Sequence, residues 1–265
     1  MTQAQRRIFL IRAIQAELPQ YRAPKIPSEE ADQKRLLRSL MNVRPPLPAS
    51  ADFLRVQDAY LSEEINQRGI VESAAFSPTR ADNRLFLWQG DITRLRIDAI
   101  VNAANSSLLG CFQPCHTCID NIIHSLSGVQ LRLACHEIMQ AQGHAEATGT
   151  AKITAGYNLP CGYVLHTVGP VVSGRLRARD CELLASCYQS CLELAVKNGV
   201  RSLAFCCIST GVFCFPQDRA AEIAVRTVSR FLTNNPSIRQ VVFNVFTDQD
   251  LAIYQKLLEN EITPP

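Results

Sequence analysis

The sequence predicts an α/β fold, a sheet covered by helices, on three observations. From about residue 84 onward, short apolar runs alternate with amphipathic stretches of helix length, the pattern of strands joined by helical crossovers. Some of those runs, such as 202–208, are continuously apolar, as strands buried on both faces are. Residues 1 to about 80 instead carry apolar residues at helix spacing. This divides the chain into a helical N-terminal extension at 1–80 and an α/β domain at 81–265.

The elements follow in order. Residues 9–18 form an amphipathic helix that Pro19 ends. Residues 29–41 place Leu36, Leu37, Leu40 and Met41 among charges, a second helix. Pro45, Pro46 and Pro48 mark a linker or rigid turn, and 53–65 is a third helix. No cluster in this region points to chemistry, and it reads as an appendage packed on the main domain. Strands are expected at 85–89, 99–105, 150–154, 163–167, 202–208 and 240–246. Helices are expected from Asp120, at 129–139, at 180–198 with Gly199 just past its end, at 219–232 and at 250–260. In such sheets ligands bind beyond the carboxyl ends of the strands, so the polar turns at 90–93, 102–105 and 209–216 are the expected site.

Composition narrows the class of function. The 27 basic and 24 acidic residues leave a net charge of +3, and no basic stripe interleaved with aromatics argues for nucleic acid. No apolar run reaches the length of a membrane span, and the N-terminus lacks the apolar core of a signal peptide. Eleven cysteines without an export signal read as reduced thiols in a cytoplasmic protein rather than a disulfide framework. Cys187 and Cys191, one helical turn apart, and Cys206 and Cys207 read as packing residues.

One stretch concentrates reactive groups: Cys111, Cys115, His116 and Cys118 fall within eight residues, followed by Asp120 and His124 one helical turn apart. Thiolates and a neutral imidazole are ligands that Zn²⁺ takes readily. The spacing is not the paired C-x-x-C of a structural zinc finger. A loop this short seldom closes a tetrahedron unaided, which leaves a position for water or substrate. From spacing alone, a metal centre and a set of small buried thiols both remain open.

Taken in order, Gly90-Asp-Ile-Thr93, Asp98-Ala-Ile-Val-Asn-Ala-Ala-Asn105, Ile119-Asp120 with His124, His166-Thr-Val-Gly-Pro170 and Ser209-Thr-Gly-Val-Phe213 resemble the motifs of a macrodomain. The cysteine loop further resembles that of the zinc-dependent macrodomains, ADP-ribosyl hydrolases that carry a helical N-terminal extension, often with an Arg-Pro-Pro like the one beginning at Arg44. The resemblance implies a three-layer α/β/α sandwich with a mixed central sheet. It implies a hydrolase removing mono-ADP-ribose from proteins, with one Zn²⁺ per chain held by Cys111, His116 and Cys118. Asp91 and Ile92 would meet the adenine, Phe246 would pack on its ring, and Asn105 would hold the distal ribose. Ser209, Thr210, Gly211, Val212 and Phe213 would wrap the diphosphate, and Asn105 and Asp120 would be catalytic. Independent physics agrees for the phosphates, since a glycine lets backbone approach closely and a following helix N-terminus favours negative charge. Cys115 falls at a variable position, as a competing ligand or a bystander. Asp120 has an ordinary alternative as a carboxylate stabilising its own helix N-terminus, and Asn105 as a turn residue. His124 and His166 read as structural, His166 as a core histidine with its bonds satisfied. The related enzymes imply a lipoyl-carrier protein as substrate and a functional link to a sirtuin-type ADP-ribosyltransferase. A module that binds ADP-ribose without cleaving it, with a zinc that only pins the loop, is the rival reading.

Overall fold

The computed structural model describes residues 1–18, 20 and 25–259. Pro19 and Asn260, expected at helix ends, lie outside them. The described residues form eight α-helices and one seven-stranded sheet.

The extension is three helices, α1 (Gln3–Glu17), α2 (Glu30–Val43) and α3 (Ala51–Arg68). Thr2 and Gln5 close a capping box at the start of α1, and the Ser50 hydroxyl accepts from the Phe53 amide to start α3; each cap satisfies amide groups the first turn leaves free. Leu10, Ile11, Ile14, Leu37, Leu40, Phe53, Val56 and Tyr60 are buried together between the three helices. Arg44 is almost wholly buried. Its guanidinium binds Glu17 at 2.6 and 3.1 Å and the carbonyls of Leu47 and Pro48, which ties the proline turn to α1.

The chain then enters the sheet sooner than expected. Strand β1 (Val71–Glu72) pairs with the first residues of β3, although 71–72 falls within the stretch read as helical. The other strands are β2 (Leu85–Gln89), β3 (Leu95–Ala104), β4 (Ala151–Ala155), β5 (Cys161–Val168), β6 (Ser202–Phe205) and β7 (Gln240–Val245). Their order is β2-β7-β6-β3-β5-β4, parallel throughout except for β4, which runs antiparallel on β5. The sheet is therefore mixed, as predicted. Central β3 explains its own composition: Ala99, Ile100 and Val101 are fully buried between β6 and β5, as a strand covered on both faces must be.

Helices α4 (Ile119–Ser127), α5 (Val129–Gln142), α6 (Ala178–Lys197), α7 (Gln217–Asn234) and α8 (Asp248–Glu259) complete a three-layer α/β/α sandwich. Cys187 and Cys191 are fully buried on α6 and serve packing, as expected. Gly199 takes a left-handed φ of 71° just beyond α6, the conformation that ends a helix without a Cβ clash. Extension and sandwich meet where α2 packs on α4.

Candidate functional site

Because β2, β7, β6, β3 and β5 all run the same way, their carboxyl ends line one rim. The expected site residues lie along that rim in strand order. Asp91 and Ile92 follow β2, Phe246 follows β7, the 209–213 loop follows β6, and Asn105 with the cysteine loop follows β3. At ~4.8 Å between neighbouring strands, the β2-to-β3 span is about 14 Å.

At the β2 end, Asp91 caps a short 3₁₀ turn (Ile92–Arg94), accepting from the Thr93 amide at 3.0 Å and its hydroxyl at 2.5 Å. Its other carboxylate oxygen pairs with Arg68, at the last turn of α3. Ile92 is buried under the turn. Phe246 stands beside it and is 75% exposed, an aromatic ring with nothing covering it. Gly90 donates to the Val245 carbonyl at 3.0 Å, which fixes the two strand ends together.

At the β6 end, Ser209 turns the chain with a φ of 66°. Thr210 anchors the loop through its hydroxyl to the Cys207 carbonyl at 3.0 Å, and the amides of Phe215 and Cys214 close back on the carbonyls of Ser209 and Gly211. Among the described residues, the amides of Thr210, Gly211, Val212 and Phe213 meet no protein acceptor. Such consecutive free N–H groups form a concavity suited to an anion. Gly169, after β5, packs closely under this turn: a Cβ there would lie 2.0 Å from the Ser209 hydroxyl oxygen, which would have to move.

At the β3 end the cysteine loop comes together. The ligand atoms of Cys111, His116 and Cys118 all lie within 4.8 Å of one another, with Cys111 Sγ 3.7 Å from His116 Nδ1. Two thiols and one imidazole at that separation fit a tetrahedral zinc, with one position left over. Burial, with Cys111 alongside, pushes the Cys118 thiol up to about 11, a cost that a divalent cation between the sulfurs would offset. Cys115 does not join them. It takes a left-handed φ of 53°, and its thiol turns toward the Arg35 carbonyl of α2, so the geometry makes it the bystander. Gly110 enters the loop with φ 78°, and a Cβ there would meet the His124 ring at 2.7 Å.

Asp120 lies beside this loop and is 5% exposed. Asn102 Nδ2 donates to one carboxylate oxygen at 2.8 Å and Asn105 Nδ2 to the other at 3.2 Å. Burial pushes the carboxyl up to about 6, against the pull of Asn102, Arg132 and Asn105. The cap hydrogen bond is made by Cys118, whose sulfur accepts from the Asn121 amide at 3.4 Å, while Asp120 sits in the first turn of α4, where a negative charge also favours the helix N-terminus. His124 Nε2 lies 3.6 Å from Asp120, and burial lowers its pKa well below the usual histidine range. His166 is satisfied, as expected, by Asn102 on Nδ1 at 3.2 Å and Thr154 on Nε2 at 2.9 Å.

Sequence reasoning missed four contributors. Asn102 was visible inside the quoted motif, and its polarity in the otherwise apolar stretch 99–104 of the central strand was the available signal. Asn121, whose amide group donates to the carbonyls of Cys111 and Gln113 at 3.2 and 2.9 Å, was one residue past the motif. Arg38 and Asn42 of α2 reach the loop from a region in which no chemistry was expected. Arg38 donates to the His116 carbonyl at 2.7 Å, and Asn42 accepts from the Cys115 amide at 2.8 Å.

Comparison with known proteins identifies the family. Residues 101–224 match the Macro domain family. A protein-ADP-ribose hydrolase of Treponema medium is 59% identical over 260 residues, 97% of this chain and all of that protein. One from Staphylococcus aureus is 54% identical over 237 residues, 89% of this chain and 88% of that one. Among solved structures, a Trypanosoma brucei macrodomain in complex with ADP-ribose aligns with a TM-score of 0.65 and 31% identity, over 83% of this chain and 94% of its own. The chain belongs to the macrodomain family and, within it, with the protein-ADP-ribose hydrolases.

Proposed function

We propose that this protein is a zinc-dependent hydrolase that removes mono-ADP-ribose from modified proteins in the cytoplasm, with the macrodomain at 81–265 and the helical extension at 1–80. The observation that carries this reading is the convergence of Cys111, His116 and Cys118 beside Asn105 and Asp120 at one end of the rim.

Along the rim the ligand would lie in strand order. Adenine sits between Asp91, Ile92 and Phe246, the Asp91 carboxylate accepting from the exocyclic amine and the exposed ring stacking on the base. The diphosphate lies on the free amides of Thr210, Gly211, Val212 and Phe213, below Ser209. The distal ribose reaches Asn105. Asp120, held through both oxygens by Asn102 and Asn105, orients the attacking water or the ribose hydroxyl. Its burial suits it to exchange a proton near neutral pH. Cys111, His116 and Cys118 would hold a zinc, which when bound would supply Lewis acidity to the reaction. By the resemblance, the modified substrate includes a lipoyl-carrier protein, and a sirtuin-type transferase installs the mark. The placing of the thiol cluster beside the Asn105–Asp120 pair favours catalysis over a zinc that merely pins a binding module.

The test is metal content of the purified protein beside release of ADP-ribose from a mono-ADP-ribosylated protein, for wild type and His116→Ala. About one zinc per chain in wild type, with zinc and turnover both lost in a variant that still binds ADP-ribose, is the expected result. A metal-free wild type, or full turnover by the variant, overturns it.

A further inference from the structure

The residues that would bind zinc sit on a segment with no regular structure of its own: 111–118 contains neither helix nor strand. Its shape is imposed by side chains from two helices. From α4, Asn121 Nδ2 holds the carbonyls of Cys111 and Gln113. From α2, Asn42 takes the Cys115 amide at 2.8 Å with Oδ1 and passes Nδ2 to the Ser125 hydroxyl at 2.8 Å. Arg38, also on α2, joins the two sets. One terminal nitrogen donates both to the His116 carbonyl at 2.7 Å and to Asn121 Oδ1 at 2.9 Å. Arg38 thus fixes the backbone of one ligand and the side chain that fixes another.

Two features set Arg38 apart from an ordinary surface arginine. Its Nε is buried and finds no partner, and among the described residues no carboxylate pairs with it. Leaving a buried donor without a partner is costly, so its position is not accounted for by its own stability. Second, it acts on His116 at the carbonyl. Displacing that carbonyl turns the peptide next to the Cα–Cβ bond that aims the imidazole, and ligand distances tolerate only about 0.2 Å.

We infer that Arg38 is a positioning residue for the metal centre, and that α2 completes a site whose ligands all come from the macrodomain itself. The inference rests on the zinc reading proposed above. Groups that orient metal ligands from behind are typically worth 10–100-fold in metal affinity. Asn42 acts in the same sense through Cys115, the left-handed residue that precedes His116.

The experiment uses the full chain as wild type, Arg38→Ala, Arg38→Lys and Asn42→Ala. Zinc affinity is measured by competition with a chromophoric chelator, and the visible spectrum is recorded after loading with Co²⁺, whose bands report ligand geometry. Binding of free ADP-ribose serves as the control for folding. Arg38→Ala is expected to weaken zinc 10–100-fold and to shift the Co²⁺ spectrum, with ADP-ribose binding retained. Arg38→Lys, which keeps the charge but ends in a compact ammonium on a shorter, unbranched arm, should fall between. Wild-type zinc affinity and an unchanged Co²⁺ spectrum in Arg38→Ala overturn the inference. If Arg38→Ala does not fold, the same readouts on Arg38→Lys decide: a wild-type result there overturns it. A wild type that binds no zinc sinks the parent reading and the inference with it, and is told apart because it appears before any variant is made.

Discussion

Arg68, in the last turn of α3, forms an ion pair with Asp91 at the end of β2, so the extension touches the rim at the end opposite the cysteine loop as well. Both side chains are about a third exposed, and a pair of that kind contributes at most about 1 kcal/mol to stability. The pair also holds the Asp91 oxygen that Thr93 does not. Arg68→Ala should therefore leave the melting temperature within a few degrees of wild type and weaken ADP-ribose severalfold. Calorimetric titration at low and high salt checks this, since the difference between the two proteins should shrink as salt screens the pair.

Phe246 separates binding from stability more sharply. A ring this exposed contributes little to folding, and its removal should change stability by less than about 0.5 kcal/mol. Base stacking on an aromatic ring is worth about 1–3 kcal/mol, so Phe246→Ala should weaken ADP-ribose by roughly 5- to 150-fold. Equal affinity in the two proteins would remove Phe246 from the adenine site.

Asp120→Asn should retain zinc and ADP-ribose and lose turnover by at least about 100-fold, the usual lower range for a group that handles a proton in the reaction. Single-turnover release of ADP-ribose measures the loss. Metal content of the same sample shows whether the loop survived.

Gly110→Ala tests the loop itself. The substitution puts a Cβ at a left-handed φ and against the His124 ring, and strain of this kind costs about 1–3 kcal/mol. The variant should melt at lower temperature and give up zinc to chelator faster than wild type.

His166 sets a pH dependence. It is fully buried and neutral, with burial lowering its pKa to about 4 from 6.5. A histidine that resists protonation only when folded gives stability that is fully present above about pH 6.5 and is lost as pH falls toward 4. The urea midpoint in chelator should drop between pH 7 and 4.5, and drop less in His166→Gln, which cannot titrate. An identical drop in both would assign the acid sensitivity to other groups, His124 first among them.

How much of this could be read beforehand follows from distance along the chain. Strands and helices were legible because apolar spacing is local, and the convergence of Cys111, His116 and Cys118 because three side chains within eight residues stay together in the fold. Gly90-Asp-Ile-Thr93 and the 209–213 loop were legible as motifs at strand ends. Arg38, Asn42 and Arg68 were not, because each looks like an ordinary polar residue on an amphipathic helix and its partner lies 23 to 83 residues away. The cap role of Cys118 was hidden because sulfur is a poor hydrogen-bond acceptor and is seldom expected there. Strand β1 is two residues long, too short for any periodicity to announce it.

The pairing of β2 with β7 has a consequence for the order of synthesis. The two strands come from opposite ends of the α/β region, at 85–89 and 240–245. A ribosome adds about 5–20 residues per second, so the cysteine loop emerges on the order of 10 s before the strand that carries Phe246. Even once β6 has emerged it stays an open edge until β7 follows, and the β2 end of the rim is not yet assembled. The newborn chain therefore contains its cysteine loop long before its sheet is complete, and the full rim exists only with the last strand.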